Sequence, residues 1–163
     1  MDKFAQKFFI RKPEIKDTPS IYSLISYYAR RKQMLARSLN EIYGHLRDFW
    51  VAEYKKKIIG CCSLQVIGWQ NLGEIRSLAV NRNYRRRGVG KALIEVCLQE
   101  AKTLGVSRVF VLTFLPEIFK RLGFKIISKK KLPHKIWKDC LDCPFFPDCK
   151  EVALVKDIKK RRS

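Results

Sequence analysis

Residues 74–93 read EIRSLAVNRNYRRRGVGKAL, and their order decides the fold. An apolar run, Ile75, Leu78, Ala79 and Val80, has the composition of a buried strand. Asn81 and Asn83 mark a turn. Arg85-Arg86-Arg87-Gly88-Val89-Gly90 follows, and then Val89, Leu93, Val96, Cys97 and Ala101 recur at helical spacing. The order is strand, basic glycine loop, helix. Gly88 and Gly90 permit a tight turn and a close approach of backbone to a ligand. A helix start offers free N–H groups and the positive end of a dipole, which suit an anion such as pyrophosphate. Arg85, Arg86 and Arg87 add fixed positive charge and forked donors.

Working outward, the N-terminal side predicts a strand over 8–12 and a helix over 17–29, with Asp17 as cap and Pro19 in its first turn. A loop over 33–38 leads to a short helix over 39–46, with Ser38 as cap and Glu41 at the capping-box position. Strands follow over 49–53 and 58–67, joined by a lysine turn at 55–57, and the central strand spans 73–80. The loop-led helix runs over 88–103 and stops at Gly105. Beyond it the pattern predicts a strand over 106–113, a short helix over 116–122 and strands over 124–128 and 151–156. The alternation predicts an α/β (α+β) fold, a mixed sheet with helices on both faces. There is no internal repeat and no linker, so residues 1–163 read as one domain with an insertion at about 129–150 and a basic tail over 157–163.

The chain of 163 residues carries a formal charge of +20. Many of its lysines fall in loops and at the tail and are not confined to one helix face, which reads as a solvated basic surface before a nucleic-acid interface. No apolar run approaches the roughly 18–20 residues of a membrane span, and the first residues lack the apolar core of a secretory signal. The expectation is a soluble, cytoplasmic protein without a membrane partner. With no secretory context, the six cysteines do not suggest a disulfide framework. Cys61, Cys62 and Cys97 read as small buried hydrophobes.

Arg85-x-x-Gly88-x-Gly90, set between a strand and a helix, resembles the acyl-CoA pyrophosphate loop of the GNAT-type N-acetyltransferases, whose pattern is Gln/Arg-x-x-Gly-x-Gly/Ala. It lacks the Gly-Lys-Ser/Thr of a P-loop and the third glycine of a dinucleotide fingerprint. Four further stretches, 36–43, 74–80, 108–114 and 132–149, together resemble the short amino-acid N-acetyltransferases of the N-acetylglutamate synthase type. The resemblance implies a GNAT-like, mostly antiparallel sheet, acetyl-CoA as cosubstrate and a small amino acid as acceptor. It points to L-glutamate, the first step of arginine synthesis, and leaves a homodimer open.

The resemblance also implies roles. Leu78, Ala79 and Val80 belong to the strand that would receive the pantetheine arm through main-chain groups. Arg85, Arg86, Arg87, Gly88, Val89, Gly90 and Lys91 would hold the pyrophosphate. Glu74 is the candidate base, because an amino acid is mostly ammonium near neutrality and must lose a proton before it attacks. Without that role it is a glutamate paired with Arg76 or a lysine. Arg76 and Arg37 are candidate carboxylate clamps, with Ser38 and Thr113 as hydrogen-bonders. Arg76 shares a strand face with Glu74. Most relatives carry a leaving-group tyrosine where this chain has Phe119, so no general acid is assigned.

Cys140, Cys143 and Cys149, with His134 as a fourth candidate, have the donor types of a structural zinc site. One CxxC alone reads equally as a thiol-lined loop or a redox pair. Two other functions stay in view: acetylation of another small amine or a protein amine, and a basic non-catalytic nucleic-acid-binding module. The intact glycine loop weighs against the latter.

Overall fold

The computed structural model describes residues 7–68, 71–132 and 151–159. Its strands are β1 (Phe9–Arg11), β2 (Phe49–Tyr54), β3 (Lys57–Ile67), β4 (Leu72–Val80), β5 (Arg108–Thr113), β6 (Lys125–Ile127) and β7 (Val152–Asp157). Its helices are α1 (Thr18–Ala29), α2 (Leu39–Gly44), α3 (Val89–Leu104) and α4 (Pro116–Arg121). The strands form one sheet in the order β1-β2-β3-β4-β5-β7-β6. Every pairing is antiparallel except β4 with β5. That exception follows from the connection: α3 carries the chain back between the two strands, as a parallel pair requires. The mixed, mostly antiparallel sheet with helices on both faces is the fold the sequence predicted.

Each face of the sheet has its own core. Val89, Leu93, Ile94, Cys97 and Ala101 line one side of α3 and bury against Cys62, Leu64 and Ile75. Gly60 permits this approach, since a Cβ there would stand 3.1 Å from side-chain carbons of both Leu93 and Val89. On the opposite face Ile21, Leu24, Ile25 and Tyr28 of α1 pack with Ile42, Val51, Cys61 and Ala79. Cys61 and Cys62, adjacent on β3, therefore enter opposite cores, and both are buried thiols as the sequence suggested. Gly105 ends α3 at φ 81°, with the Val106 N–H donating to the Ala101 carbonyl at 2.9 Å. The β2–β3 hairpin turns on Lys55 and Lys56, both at positive φ (48° and 64°), while Lys57 already belongs to β3.

Two local expectations are corrected. α2 ends at Gly44, and the Leu46–Asp48 stretch is a separate 3-10 turn. Asp17 does not cap α1 with its side chain. Its carboxylate instead accepts from Arg11 Nη1 at 2.7 Å, from Arg11 Nη2 at 3.1 Å and from the Glu14 N–H at 2.7 Å. Arg11 Nε also donates to Glu53 Oε2 at 3.1 Å, tying β1, the start of α1 and β2 together. A buried carboxylate needs such a partner, and the bidentate guanidinium holds Asp17 below the usual carboxylate range.

Arg11→Ala leaves Asp17 buried without its cation and should cost about 3 kcal/mol in denaturant unfolding. Because the folded Asp17 value lies below the unfolded one, the stabilisation is complete above about pH 4 and fades as pH falls through the folded value. An Arg11→Ala variant with wild-type stability at pH 7 would contradict this reading.

Candidate active site

β4 is paired unequally on its two sides. It follows β3 along its whole length, but its pairing with β5 runs only from Leu72↔Arg108 to Ile75↔Val111. Beyond Ile75 the two strands part. A bulge falls at the same place: Cys61 pairs with Ala79 and Ser63 with Arg76, so Ser77 and Leu78 together oppose Cys62. Ser77 takes φ 54°. The extra residue shifts the alternation, so Ile75, Leu78 and Val80 pack towards α3 while Ala79 faces α1.

The bulge also sets which main-chain groups meet the opening. Asn81 N–H donates to the Ile59 carbonyl of β3 at 2.8 Å. Amide directions alternate along a strand, so the main-chain groups of Val80 and Leu78 turn away from β3 towards the gap. A cavity of about 1760 Å³ occupies that gap, lined by Leu78 and Val80 on one wall and Leu112, Thr113 and Phe114 on another. It exceeds the roughly 300–1,000 Å³ of an ordinary small-molecule pocket, which suits a long ligand meeting a second one. Tyr28 reaches in from α1, and its hydroxyl donates to the Val80 carbonyl. Burial pushes the Tyr28 phenol above its ordinary value, so it stays a donor near neutral pH.

The far end of the cavity is the glycine loop. Asn81 Oδ1 accepts from the Asn83 N–H at 3.0 Å and closes a 3-10 turn over Arg82–Tyr84. Arg86 and Gly88 then take φ 60° and 82°, and α3 starts at Val89. Arg85, Arg86, Gly88, Gly90 and Lys91 line the cavity. Gly90 faces α4: a Cβ there would lie 3.3 Å from Ile118 Cδ1. Three predicted residues behave differently. The Arg87 guanidinium sits 5.8 Å from the centre of the Tyr84 ring, and the Val89 side chain is sealed in the α3 core. Ala79 drops out, because its side chain lies in the α1 core and its main chain is committed to Cys61 on β3.

The acceptor candidates gather where β4 and β5 part. Glu74, only 6% exposed, lines the cavity and pairs through Oε2 with Arg76 Nε at 3.1 Å. Arg76 Nη1 also donates to Gln65 Oε1 across the strand. Arg37 lines the cavity from the α1–α2 loop and lies 3.7 Å from Glu41. Thr113 is present too, its Oγ1 accepting from the Leu115 N–H at 3.0 Å. Ser38 is the exception: its Oγ caps α2 by accepting the Glu41 N–H at 3.1 Å, and the residue lies outside the cavity lining. Phe119 lines the cavity but is buried edge-to-face against Phe124, with ring centres 5.3 Å apart. The sequence did not single out Tyr28 or Gln65. Tyr28 sat in the apolar stripe of α1, and Gln65 emerges only once its register opposite Glu74 is known. His134, Cys140, Cys143 and Cys149 lie outside the described residues, and among the described ones no cluster of metal-ligating side chains occurs. No described helix is long and apolar enough to cross a membrane.

Residues 15–124 match the model of the acetyltransferase (GNAT) family. The chain belongs to that family. It is 42% identical over 149 residues to an uncharacterised N-acetyltransferase of Chlorobaculum tepidum, covering 91% of this chain and 96% of that one. It is 41% identical over 133 residues to an amino-acid acetyltransferase of Mycobacterium tuberculosis, covering 80% of this chain and 75% of the relative. Among solved structures, the N-acetylglutamate synthase of Neisseria gonorrhoeae, complexed with coenzyme A and N-acetyl-glutamate, superposes with a TM-score of 0.85 at 27% identity. That match covers 94% of this chain and 35% of the synthase, so the chain spans about a third of that protein. This GNAT acetyltransferase thus shares its fold with part of a longer protein and nearly its whole length with a short relative.

Gly88→Val places a β-branched side chain at φ 82° and should cost roughly 1–2 kcal/mol in denaturant unfolding. Wild-type stability in that variant would contradict the left-handed turn at the start of α3.

Proposed function

We propose that the protein transfers the acetyl group of acetyl-CoA to the amino group of a small amino acid in the cytoplasm, with L-glutamate the preferred acceptor, as in the first step of arginine biosynthesis. The observation that carries this reading is the parting of β4 from β5, which joins an anion-suited glycine loop to a buried Glu74–Arg76 pair in one cavity. Acetyl-CoA fits the chain's own features: outward-turned main-chain groups along Leu78 and Val80, a left-handed glycine before α3, and Arg85, Arg86 and Lys91 around it. Relatives named amino-acid acetyltransferase, and a structural neighbour complexed with N-acetyl-glutamate, support the acceptor class. Two carboxylates on glutamate call for two cations, and Arg76 and Arg37 both line the cavity.

In this reading Glu74 takes the ammonium proton, directly or through a water, and so frees the amine lone pair. The amine attacks the thioester carbon; the N–C bond forms, the nitrogen gives up its second proton to solvent, and the C–S bond breaks. Charge that develops on the thioester oxygen is met by main-chain N–H groups on β4. Phe119 has no proton to give, so the departing thiolate takes its proton from solvent. Arg76 has two tasks, holding Glu74 in place and meeting an acceptor carboxylate.

Thiol release from acetyl-CoA across a panel of amino acids should show selective turnover with glutamate. Glu74→Gln should lower kcat by roughly 10²–10⁴ while leaving acetyl-CoA affinity near wild type. Selective turnover with a different amine would remove glutamate as acceptor, and an unchanged kcat would remove Glu74 as base.

A further inference from the structure

The bulge in β4 is held from outside β4. A bulge breaks the ladder and leaves carbonyls that need donors. Two buried side chains of β3 supply donors at this point. Ser63 Oγ donates to the Arg76 carbonyl at 3.1 Å, and Cys61 Sγ donates to the Ser77 carbonyl at 3.5 Å. Both side chains project to the same face of β3, two residues apart, and the two carbonyls they reach are consecutive. Cys61 is fully buried and Ser63 is 6% exposed, so water does not compete for either bond. Burial pushes the Cys61 thiol up to about 12, which keeps it an S–H donor at any working pH.

The planar trans peptide gives these bonds a consequence. Carbonyl and N–H of one peptide unit point in opposite directions. The Ser77 carbonyl shares its peptide with the Leu78 N–H, and the Arg76 carbonyl shares its peptide with the Ser77 N–H. Drawing both carbonyls towards β3 turns both N–H groups away from β3, towards the side where β4 and β5 part. Ser77 at φ 54° is a backbone conformation that a non-glycine residue keeps only when its surroundings fix it. The two side-chain bonds belong to those surroundings, beside the strand pairs that flank the bulge.

We infer that Cys61 and Ser63 are positioning residues for acyl transfer, aiming the N–H groups of Ser77 and Leu78 at the reacting carbonyl by anchoring the carbonyls of the same peptides. The inference rests on the acetyl-transfer reading above. It gives a catalytic consequence to a cysteine and a serine whose burial alone reads as core packing. Neither residue touches substrate; each acts through the strand beside it.

The test compares Cys61→Ala and Ser63→Ala, which delete the donors, with Cys61→Ser and Ser63→Thr, which keep a hydroxyl donor. Thiol release, acetyl-CoA affinity and melting temperature are measured for all four full-length variants. The alanine variants should lose roughly 10–100-fold in kcat, somewhat less than outright removal of an oxyanion donor. Their acetyl-CoA affinity should stay near wild type, and the hydroxyl variants should regain most of the lost kcat. A merely structural role would lower the melting temperature without this split between kcat and binding. Wild-type kcat in both alanine variants overturns the inference while leaving the acetyl-transfer reading intact. Absence of turnover in the wild-type protein overturns both. Ser63→Ala removes a single oxygen, so it carries the test if Cys61→Ala fails to fold.

Discussion

The parting of β4 from β5 after Ile75 is the constraint on which the other features depend. A parallel pair with a helical crossover would ordinarily continue along both strands, because each unpaired N–H and C=O costs free energy when buried. Here the pairing stops after four residues on each strand, and β5 satisfies its other edge with β7. The unpaired stretch of β4 is tolerable because its groups face a cavity open to solvent and ligand. α3 holds the strands in this arrangement, packing Val89, Leu93 and Cys97 onto the sheet behind the gap. The same helix presents its N-terminus at one end of the cavity. One departure from regular pairing thus generates both the cavity and its orientation.

Charge is handled by the same rule at two places. Asp17 and Glu74 are the buried carboxylates among the described residues, and each is matched by an arginine: Arg11 for Asp17, Arg76 for Glu74. Arg11 ties the edge of the sheet to the first helix and is not among the residues lining the cavity, so its role is architectural. Arg76 and Glu74 line the cavity, so under the proposed function the same pairing would serve an acceptor carrying both an ammonium and a carboxylate. The surrounding cavity, not the ion pair, separates structure from function in these two cases.

The residues around 74–93 declared their architecture because strand, turn, glycine loop and helix each have local causes. Apolar alternation, asparagine turns, left-handed glycines and 3.6-residue periodicity are all written within a few positions. α1 began at Thr18 and ended at Ala29, one residue from the expected start, and Gly105 closed α3 where anticipated. What local sequence withheld were features fixed by partners distant along the chain. The bulge at Ser77 and Leu78 depends on where β3 stops matching β4, and Ala79 left the site because that bulge shifted its parity. Asp17 looked like a cap but was taken by Arg11, six residues earlier. Ser38 fitted both a cap and a ligand, and the cap prevailed because the Glu41 N–H lies within the same turn. Tyr28 was read as core, and it is core, but its hydroxyl reaches a carbonyl 52 residues away on the strand that frames the gap.

The most direct test of the account is a crystal structure of the protein with coenzyme A. The account predicts the pantetheine arm in the opening beside β4, hydrogen-bonded to main-chain groups of Leu78 and Val80, with the pyrophosphate on the N–H groups that follow Gly88. Coenzyme A bound elsewhere, or a β4–β5 gap closed by continued strand pairing, would contradict it.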